Sequence, residues 1–127
     1  MASANEADLL RVFTSVPPAN VAQDHIPQNT AFNVVVEAEV GQALFNTGGA
    51  YRVNVVLLDI TAGTTFPQPQ QNGTFGSGTW PGLNQTFTFN IAGQPAVDHI
   101  IQAIAVLVAG IQNPIVEFEE SDMAIVV

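Results

Sequence analysis

Hydrophobic and polar residues alternate along several short segments of the chain, as they do in strands that bury one face. In the clearest case, residues 31–40, one face carries Phe32, Val34, Val36, Ala38 and Val40. Residues 9–16, 51–60 and 86–93 show the same two-residue period, and residues 119–127 end in a β-branched run. Because β-branched and aromatic residues favour strands, the pattern predicts a protein built mainly from β-strands.

Turn-forming residues separate these segments, and two of the turns bear on the arrangement of the strands. Pro17 and Pro18 follow residues 9–16. Because proline cannot donate a backbone hydrogen bond to a neighbouring strand, this placement predicts that the first strand lies at the edge of a sheet. Residues 46–50 read NTGGA, a turn that we expect to close a hairpin between the second and third strands.

Residues 95–110 fit two different structures. As a helix, the segment begins near Pro95 and ends at Gly110, with its large aliphatic residues on one stripe. As a strand, large residues alternate with Ala103, Ala105 and Ala109. Periodicity does not separate the two in so apolar a run. We favour the strand, since a lone helix would leave the sheet without a central partner, and keep an α+β fold with 95–110 helical as the alternative.

Counting this segment, the chain contains about seven strands, which is typical of two antiparallel sheets packed as a sandwich. The strand order resembles that of an immunoglobulin-like or fibronectin type III-like domain. Its second, third and last three strands are matched by residues 31–40, 51–60, 86–91, 99–110 and 121–127. The resemblance is one of architecture, because the chain has no counterpart of the cysteine–tryptophan–cysteine core of antibody domains. With 127 residues, we expect a single all-β, immunoglobulin-like domain over residues 1–127.

The charge of the chain excludes several kinds of partner. Eleven acidic residues stand against two arginines and no lysine, which gives a net charge of −9. Proteins that bind nucleic acid or anionic membranes use lysine and arginine to contact phosphates, so we expect neither partner. The absence of lysine and cysteine also removes Schiff-base and thiol chemistry. We expect no cofactor.

The ends and the apolar runs predict a soluble protein. The N-terminal residues carry acids where a secretory signal is basic. The longest apolar run, Ile100–Ile111, is shorter than the ~20 residues that a membrane-spanning helix needs. We therefore expect a protein that is cytoplasmic by default, or a trimmed product of a larger one.

Two histidines and a group of acids are the residues with the most chemical potential. His25 and His99 each follow an aspartate, but adjacent residues on a strand point to opposite faces, so neither pair is preset as an Asp–His couple. An enzyme that uses converging carboxylates and His99 is the least favoured of three functional hypotheses, because no nucleophile–base pair is apparent.

The second group lies in the stretch VEFEESD, where Glu117, Glu119 and Asp122 are weak candidates for metal ligands. Calcium binds six to eight oxygen atoms, but the spacing of an EF-hand is missing. Charges at the start of a terminal strand more often prevent edge-to-edge pairing. We expect these acids to serve solubility and no metal to bind.

The long segment from Gly63 to Phe87 is rich in glycine, proline and glutamine and carries no charge. It contains Phe66, Phe75 and Trp80, which is too much apolar surface for a flexible linker. The three aromatic side chains either fold back over the edge of the sandwich or form a platform for a sugar or a protein. They are our candidate binding residues.

These observations favour a non-enzymatic interaction or structural module that binds a protein partner or a second copy of itself. The hypothesis rests on segments that are apolar on both faces, such as VVLLDI and IIQAIAVLV. A carbohydrate-binding module that uses the aromatic residues around Trp80 is the alternative.

Overall fold

The computed structural model describes residues 6–19, 21–67, 70–91, 94–110 and 114–127. These residues form two β-sheets and one short helix, so the predicted all-β fold is confirmed. In chain order the elements are β1 (Ala7–Ser15), β2 (His25–Ile26), β3 (Asn33–Val40), α1 (Gln42–Asn46), β4 (Ala50–Asp59), β5 (Thr64–Pro67), β6 (Gln71–Thr74), β7 (Asn84–Asn90), β8 (Ile100–Ala109), β9 (Ile115–Glu120) and β10 (Ala124–Val126). In the described part of the chain, no helix is long and apolar enough to cross a membrane.

The smaller sheet has three antiparallel strands in the order β1–β3–β7. Its first strand lies at the edge, as Pro17 and Pro18 predict. The pairing of β1 with β3 shifts register between Leu9 and Arg11, which is a β-bulge. The alternation predicted for β3 is confirmed, because Phe32, Val34, Val36, Ala38 and Val40 are all buried.

The larger sheet is built around the long antiparallel pair β4 and β8. On the side away from β8, the strand β4 pairs with β6 along its first half and with β5 along its second half. On the side away from β4, the strand β8 pairs with β9 and with β10. Apart from the two-residue β2, the strands therefore occupy seven positions in two sheets, in agreement with the predicted count. The pairing of β2 with β10 is parallel, the one departure from the antiparallel pattern in the described residues.

The two sheets face each other across one hydrophobic core. The largest fully buried side chains come from both sheets and from the connections between them, and they include Trp80, Phe32, Ile26, Leu57, Ile101 and Leu107. The strand β1 lies against β8 and β9 of the larger sheet. The opposite ends of the two sheets, β7 in one and β5 with β6 in the other, therefore lie on the other flank of the sandwich.

Three expectations about local structure have different outcomes. Residues 100–109 form the strand β8, so the helical alternative for 95–110 is wrong. The hairpin expected at residues 46–50 is also wrong, because β3 and β4 belong to different sheets. The chain crosses between them through α1 and a turn at Gly48, whose φ of 64° is in the left-handed region that favours glycine. Leu44 and Phe45 of α1 pack against the core.

The described part of segment 63–87 consists mainly of strands and one tight turn. It begins with β5 and β6, which extend the larger sheet by pairing with β4. A tight turn follows, in which the backbone of Gly76 donates to the carbonyl of Trp80 and Ser77 forms a bridge with Trp80. The segment is therefore an elaborated sheet edge that leads into β7.

Candidate functional site

Trp80 lies at the centre of an aromatic cluster inside the core. Its ring centroid is 5.0 Å from that of Tyr51, 4.9 Å from that of Phe75 and 5.4 Å from that of Phe87. All three contacts are edge-to-face, the arrangement that aromatic quadrupoles prefer. The turn around Gly76 folds Trp80 back between β4 and β7. The aromatic cluster (Tyr51, Phe75, Trp80 and Phe87) therefore joins the two sheets.

The burial of Trp80 and Phe75 matches the first of the two alternatives for segment 63–87, in which its aromatic side chains fold back onto the sandwich. Trp80 is 0% exposed and Phe75 is 4% exposed, so neither ring offers a face to a sugar or a protein in this structure. Phe66, the third candidate, is half-buried and packs against the core from β5. The physical reason is that the sandwich gains more from burying these rings, roughly 150–250 Å² each, than from leaving them in water.

A buried aspartate and a histidine meet at the end of the sandwich where β4 finishes and β8 begins. Nδ1 of His99 lies 2.8 Å from Oδ2 of Asp59. The side chain of Asp59 is 4% exposed and that of His99 is 28% exposed. The backbone N–H of Ala62 donates to the other carboxylate oxygen of Asp59, at 3.0 Å. The pair therefore fixes the turn after β4 to the start of β8.

The environment of Asp59 acts on its pKa in two opposite directions. Burial raises the pKa of Asp59, whereas the hydrogen bond from His99, the backbone N–H groups of Ala62 and Thr61 and the charge of His99 lower it. Together, the effects that lower the pKa outweigh the effect of burial, so the pKa of Asp59 lies below its ordinary value. In the described residues, no hydrogen bond joins His99 to a serine or threonine hydroxyl, so this pair lacks the nucleophile of a hydrolytic triad.

Sequence reasoning missed Asp59, although its position carried a signal. The alternation that buries Tyr51, Val53, Val55 and Leu57 places Asp59 on the same inward face of β4. A carboxylate at an inward position requires a partner. The sequence does not show which partner, because His99 lies 40 residues further along the chain.

The other histidine behaves differently from the expectation. Nδ1 of His25 lies 2.8 Å from Oδ1 of Asp24, so this neighbouring pair does interact. The alternation argument fails there because Asp24 precedes the two-residue strand β2 and lies in a bend. The pair is exposed, with 66% of the His25 side chain and 78% of the Asp24 side chain accessible. The hydrogen bond and the charge of His25 lower the pKa of Asp24.

The acids of the stretch VEFEESD lie mostly on the strand β9. Glu117 and Glu119 share one side of β9, and Asp122 follows the end of the strand. Burial, together with the nearby Asp8, Glu6 and Glu119, raises the pKa of Glu117. Among the described residues, no group of three or more histidine, aspartate or glutamate side chains is placed to hold a metal ion.

The groove between β1 and β9 holds part of this acidic cluster. It has a volume of about 390 Å³, and its acidic lining residues are Asp24, Glu119, Glu120 and Asp122. Arg11, which also lines the groove, lies 4.4 Å from the ring centroid of Phe13. The charges that line this groove are therefore mainly acidic, with Arg11 as the one cation among them.

The most exposed apolar surface lies on the outer side of the larger sheet. Side chains that point away from the core on β4, β8 and β9 form what we call the apolar face: Val56, Leu58, Ile104, Val106, Val108, Val116 and Phe118. Val116 and Phe118 are each 62% exposed. The cross-strand register places Phe118 beside Val106, and Val116 beside Val108. Sequence reasoning anticipated the apolar residues of β4 and β8 but missed those of β9, although VEFE alternates with the same period.

Two charged side chains and two amides, those of Asn54 and Gln102, interrupt the apolar face. Arg52 is paired across the strands with Val108, and Glu120 is paired with Ile104. Arg52 and Glu120 therefore lie at diagonally opposite corners of the apolar face. Two strand spacings and four residues along the strand separate their backbones by roughly 16 Å. Asn54 lies between them, paired with Val106, and its buried side-chain oxygen has no hydrogen-bond partner among the residues that the structure describes.

Comparison with known proteins adds no family to this description. No protein-family model matches the sequence, and no curated protein matches it. The function of the chain must therefore follow from its own surfaces, of which the apolar face is the most distinctive.

Proposed function

We propose that this protein is a non-enzymatic interaction module that associates with a second copy of itself through the apolar face. The observation that carries the proposal is the exposure of Val116 and Phe118, 62% each, on an edge strand of a sheet surface that is already apolar. Large apolar patches on soluble proteins mark interaction sites. The buried aromatic cluster gives no comparable support to carbohydrate binding, which stays the alternative hypothesis.

The size of the apolar face predicts a weak association. Three strands span roughly 15 Å, and six residues along β8 span roughly 20 Å, which gives an area of about 300 Å². That area matches the largest patch on a typical monomer. It is less than the ~800 Å² that each partner buries in a stable complex. We therefore expect a dimer that forms at high micromolar concentration or above.

The placement of the two charges supports a second copy as the partner. One diagonal of the apolar face, which we call the valine diagonal, runs through Val116, Val106 and Val56. The other diagonal has Arg52 at one end and Glu120 at the other. A two-fold axis in the plane of the sheet, close to the valine diagonal, brings each arginine within side-chain reach of the partner copy's glutamate. An interface of this kind is self-complementary, as two-fold symmetry requires.

We also propose that the sandwich is immunoglobulin-like in its strand order. Its support is the partition of the strands: β1, β3 and β7 form one sheet, and β4, β8 and β9 belong to the other. Immunoglobulin domains divide their first, second and fifth strands from their third, sixth and seventh in the same way. The likeness concerns architecture, and the choice of partner comes from the side chains on the surface.

Sedimentation equilibrium of the wild type and of the double variant Val116→Thr/Phe118→Thr tests the proposed function. Threonine keeps the strand preference and removes the apolar contact, so the variant should fold normally and associate at least roughly tenfold more weakly through the apolar face. The matched control is Val21→Thr, because Val21 is 61% exposed but lies outside the apolar face. A wild type that remains monomeric at millimolar concentration would overturn the proposal.

A further inference from the structure

One flank of the sandwich carries no charge, whereas the whole chain carries a net charge of −9. Residues 60–97 contain no acidic residue, arginine, lysine or histidine. Their described part forms β5, β6, the turn around Trp80 and β7. We call the surface formed by β5, β6 and β7 the uncharged flank, because these strands end the two sheets on the side away from β1 and β9.

The opposite flank holds more than half of the acids. On and beside β1 and β9 the chain carries Glu6, Asp8, Glu117, Glu119, Glu120 and Asp122, six of its eleven acidic residues. Two copies that approach through this side repel each other. Two copies that approach through the uncharged flank avoid this repulsion, because β5, β6 and β7 carry no charged side chain. Electrostatics therefore favours the uncharged flank over the acidic flank for contact between copies.

The strand β7 at this flank has an open edge. In the described residues it is hydrogen bonded to β3 alone. Val40 donates to the carbonyl of Leu83, and Ile91 donates to the carbonyl of Phe32, so the odd-numbered residues of β7 direct their backbone groups toward β3. In an antiparallel pair the alternate residues point the other way. The backbone groups of Asn84, Thr86, Thr88 and Asn90 thus face the open edge.

Soluble proteins protect such edges, and β7 lacks the usual protection. Lysine, proline, a bulge or an inward charge prevents edge-to-edge pairing, but Asn84–Asn90 reads NQTFTFN and pairs with β3 in continuous register. One side chain does reach the edge: Nε2 of Gln85 donates to the carbonyl of Thr86 at 3.0 Å. A carbonyl oxygen accepts a second hydrogen bond, so this contact leaves the edge available.

We infer that β7 pairs antiparallel with β7 of a second copy, about a two-fold axis beside Phe87, and joins two smaller sheets into one of six strands. In this register Thr86 lies opposite the partner copy's Thr88, and Asn84 lies opposite its Asn90. Every residue that faces the open edge then meets another, which forms about eight backbone hydrogen bonds. Threonine pairs across strands add to the stability of such a sheet.

The acids of the smaller sheet do not oppose this contact. Glu37 is the acid paired with Thr86 in the middle of β7. In the joined sheet it lies three strand spacings from its copy, at least about 14 Å. The Debye length at physiological ionic strength is about 8 Å, so their repulsion is largely screened.

The inference does not depend on the proposed function, because the apolar face and the open edge of β7 belong to different sheets. A chain that used both surfaces would join more than two copies, since each surface is self-complementary. The two contacts can be separated by combining variants.

The experiment uses the full chain with Val116→Thr/Phe118→Thr, in which only the uncharged flank remains available. In this background we expect sedimentation equilibrium to show a dimer, and amide hydrogen exchange to slow at Thr86 and Thr88 as concentration rises. Adding Thr86→Lys/Thr88→Lys should weaken the dimer roughly tenfold or more, because lysine blocks edge pairing. The control Ala19→Lys/Gln28→Lys adds the same charge at exposed positions outside the flank and should leave the dimer intact.

Two outcomes would overturn the inference. One is a strictly monomeric Val116→Thr/Phe118→Thr variant at millimolar concentration, which would leave the proposed function standing if the wild type still dimerises. The other is a dimer whose Thr86 and Thr88 amides exchange at the same rate at all concentrations. A different result would count against the apolar face alone. It is a dimer through β7 that has the same dissociation constant in the wild type and in Val116→Thr/Phe118→Thr, with no larger assembly in the wild type.

Discussion

The buried Asp59 and the half-buried His99 form a pair with the same contact distance as an exposed pair elsewhere in the molecule. Nδ1 of His99 lies 2.8 Å from the Asp59 carboxylate, and Nδ1 of His25 lies 2.8 Å from the Asp24 carboxylate. Asp59 is buried, whereas Asp24 is exposed. The protein thus contains one interaction in two environments, which provides a matched comparison of what burial contributes.

The substitution Asp59→Asn should destabilise the fold by about 1–3 kcal/mol at pH 7, because it leaves buried polar groups with a weaker partner. The pKa of Asp59 is lowered in the folded state, so its stabilisation is present above the unfolded value of 3.8 and is lost as pH falls below it. The difference between wild type and variant should therefore shrink below about pH 4. Urea denaturation at several pH values measures it.

The matched control is Asp24→Asn. It removes an exposed carboxylate that lies as close to His25 as Asp59 lies to His99. Screening by water should leave the free energy of unfolding unchanged in this variant. Equal losses in the two variants would show that burial does not strengthen the Asp59–His99 pair.

Trp80 provides a second test, because its indole is 0% exposed and its Nε1 has no hydrogen-bond partner in the described structure. Trp80→Ala should cost about 3–5 kcal/mol, which is a large part of the stability of a small domain. Trp80→Phe should cost much less, since it keeps an aromatic ring and removes the unpaired N–H. Urea denaturation followed by circular dichroism measures both variants.

Fluorescence of the wild type tests the burial of Trp80 directly, as it is the only tryptophan. We expect emission at short wavelength, weak quenching by acrylamide and no change on adding oligosaccharides. Strong quenching, or an emission shift with a sugar, would show that the turn around Trp80 opens and would restore the carbohydrate-binding hypothesis.

Much of the fold could be predicted because alternation decides which face of a strand is buried. The pattern of residues 31–40 identified five inward residues, and the proline pair after β1 identified an edge. The connection after β3 could not be predicted in this way. A glycine turn such as residues 46–50 serves equally in a hairpin or in a crossing between sheets, and the choice depends on packing far along the chain.

The candidate surfaces were harder to predict, for two physical reasons. Phe118 lies between glutamates, so the acidic cluster concealed a strand whose outer side chains are apolar. Trp80 lies in a segment with the composition of a loop, and its burial depends on contacts with Tyr51 and Phe87 from other strands. Local composition describes neither case, because tertiary pairing determines both.

Glu117 should destabilise the folded protein at neutral pH. Its pKa is raised by burial and by Asp8, Glu6 and Glu119, so its ionised form is disfavoured in the folded state, and stability falls as pH rises through this raised value. Glu117→Gln should therefore raise the melting temperature at pH 7 and change it little below pH 4. The control Glu37→Gln removes the same charge from the other sheet. If it raised the melting temperature equally, the cause would be the net charge of the protein and not the neighbours of Glu117.

Exchanging the charges of Arg52 and Glu120 tests the geometry proposed for the apolar face. Each dimer would contain two such pairs at its rim, and exposed pairs contribute about 0.2–1 kcal/mol each. Glu120→Arg alone places like charges together and should weaken the dimer roughly three- to tenfold in spite of its smaller net charge. Arg52→Glu/Glu120→Arg should restore the wild-type dissociation constant in sedimentation equilibrium, because the net charge and both pairs return. A double variant as weak as the single variant would mean that Arg52 and Glu120 do not meet across the two-fold axis.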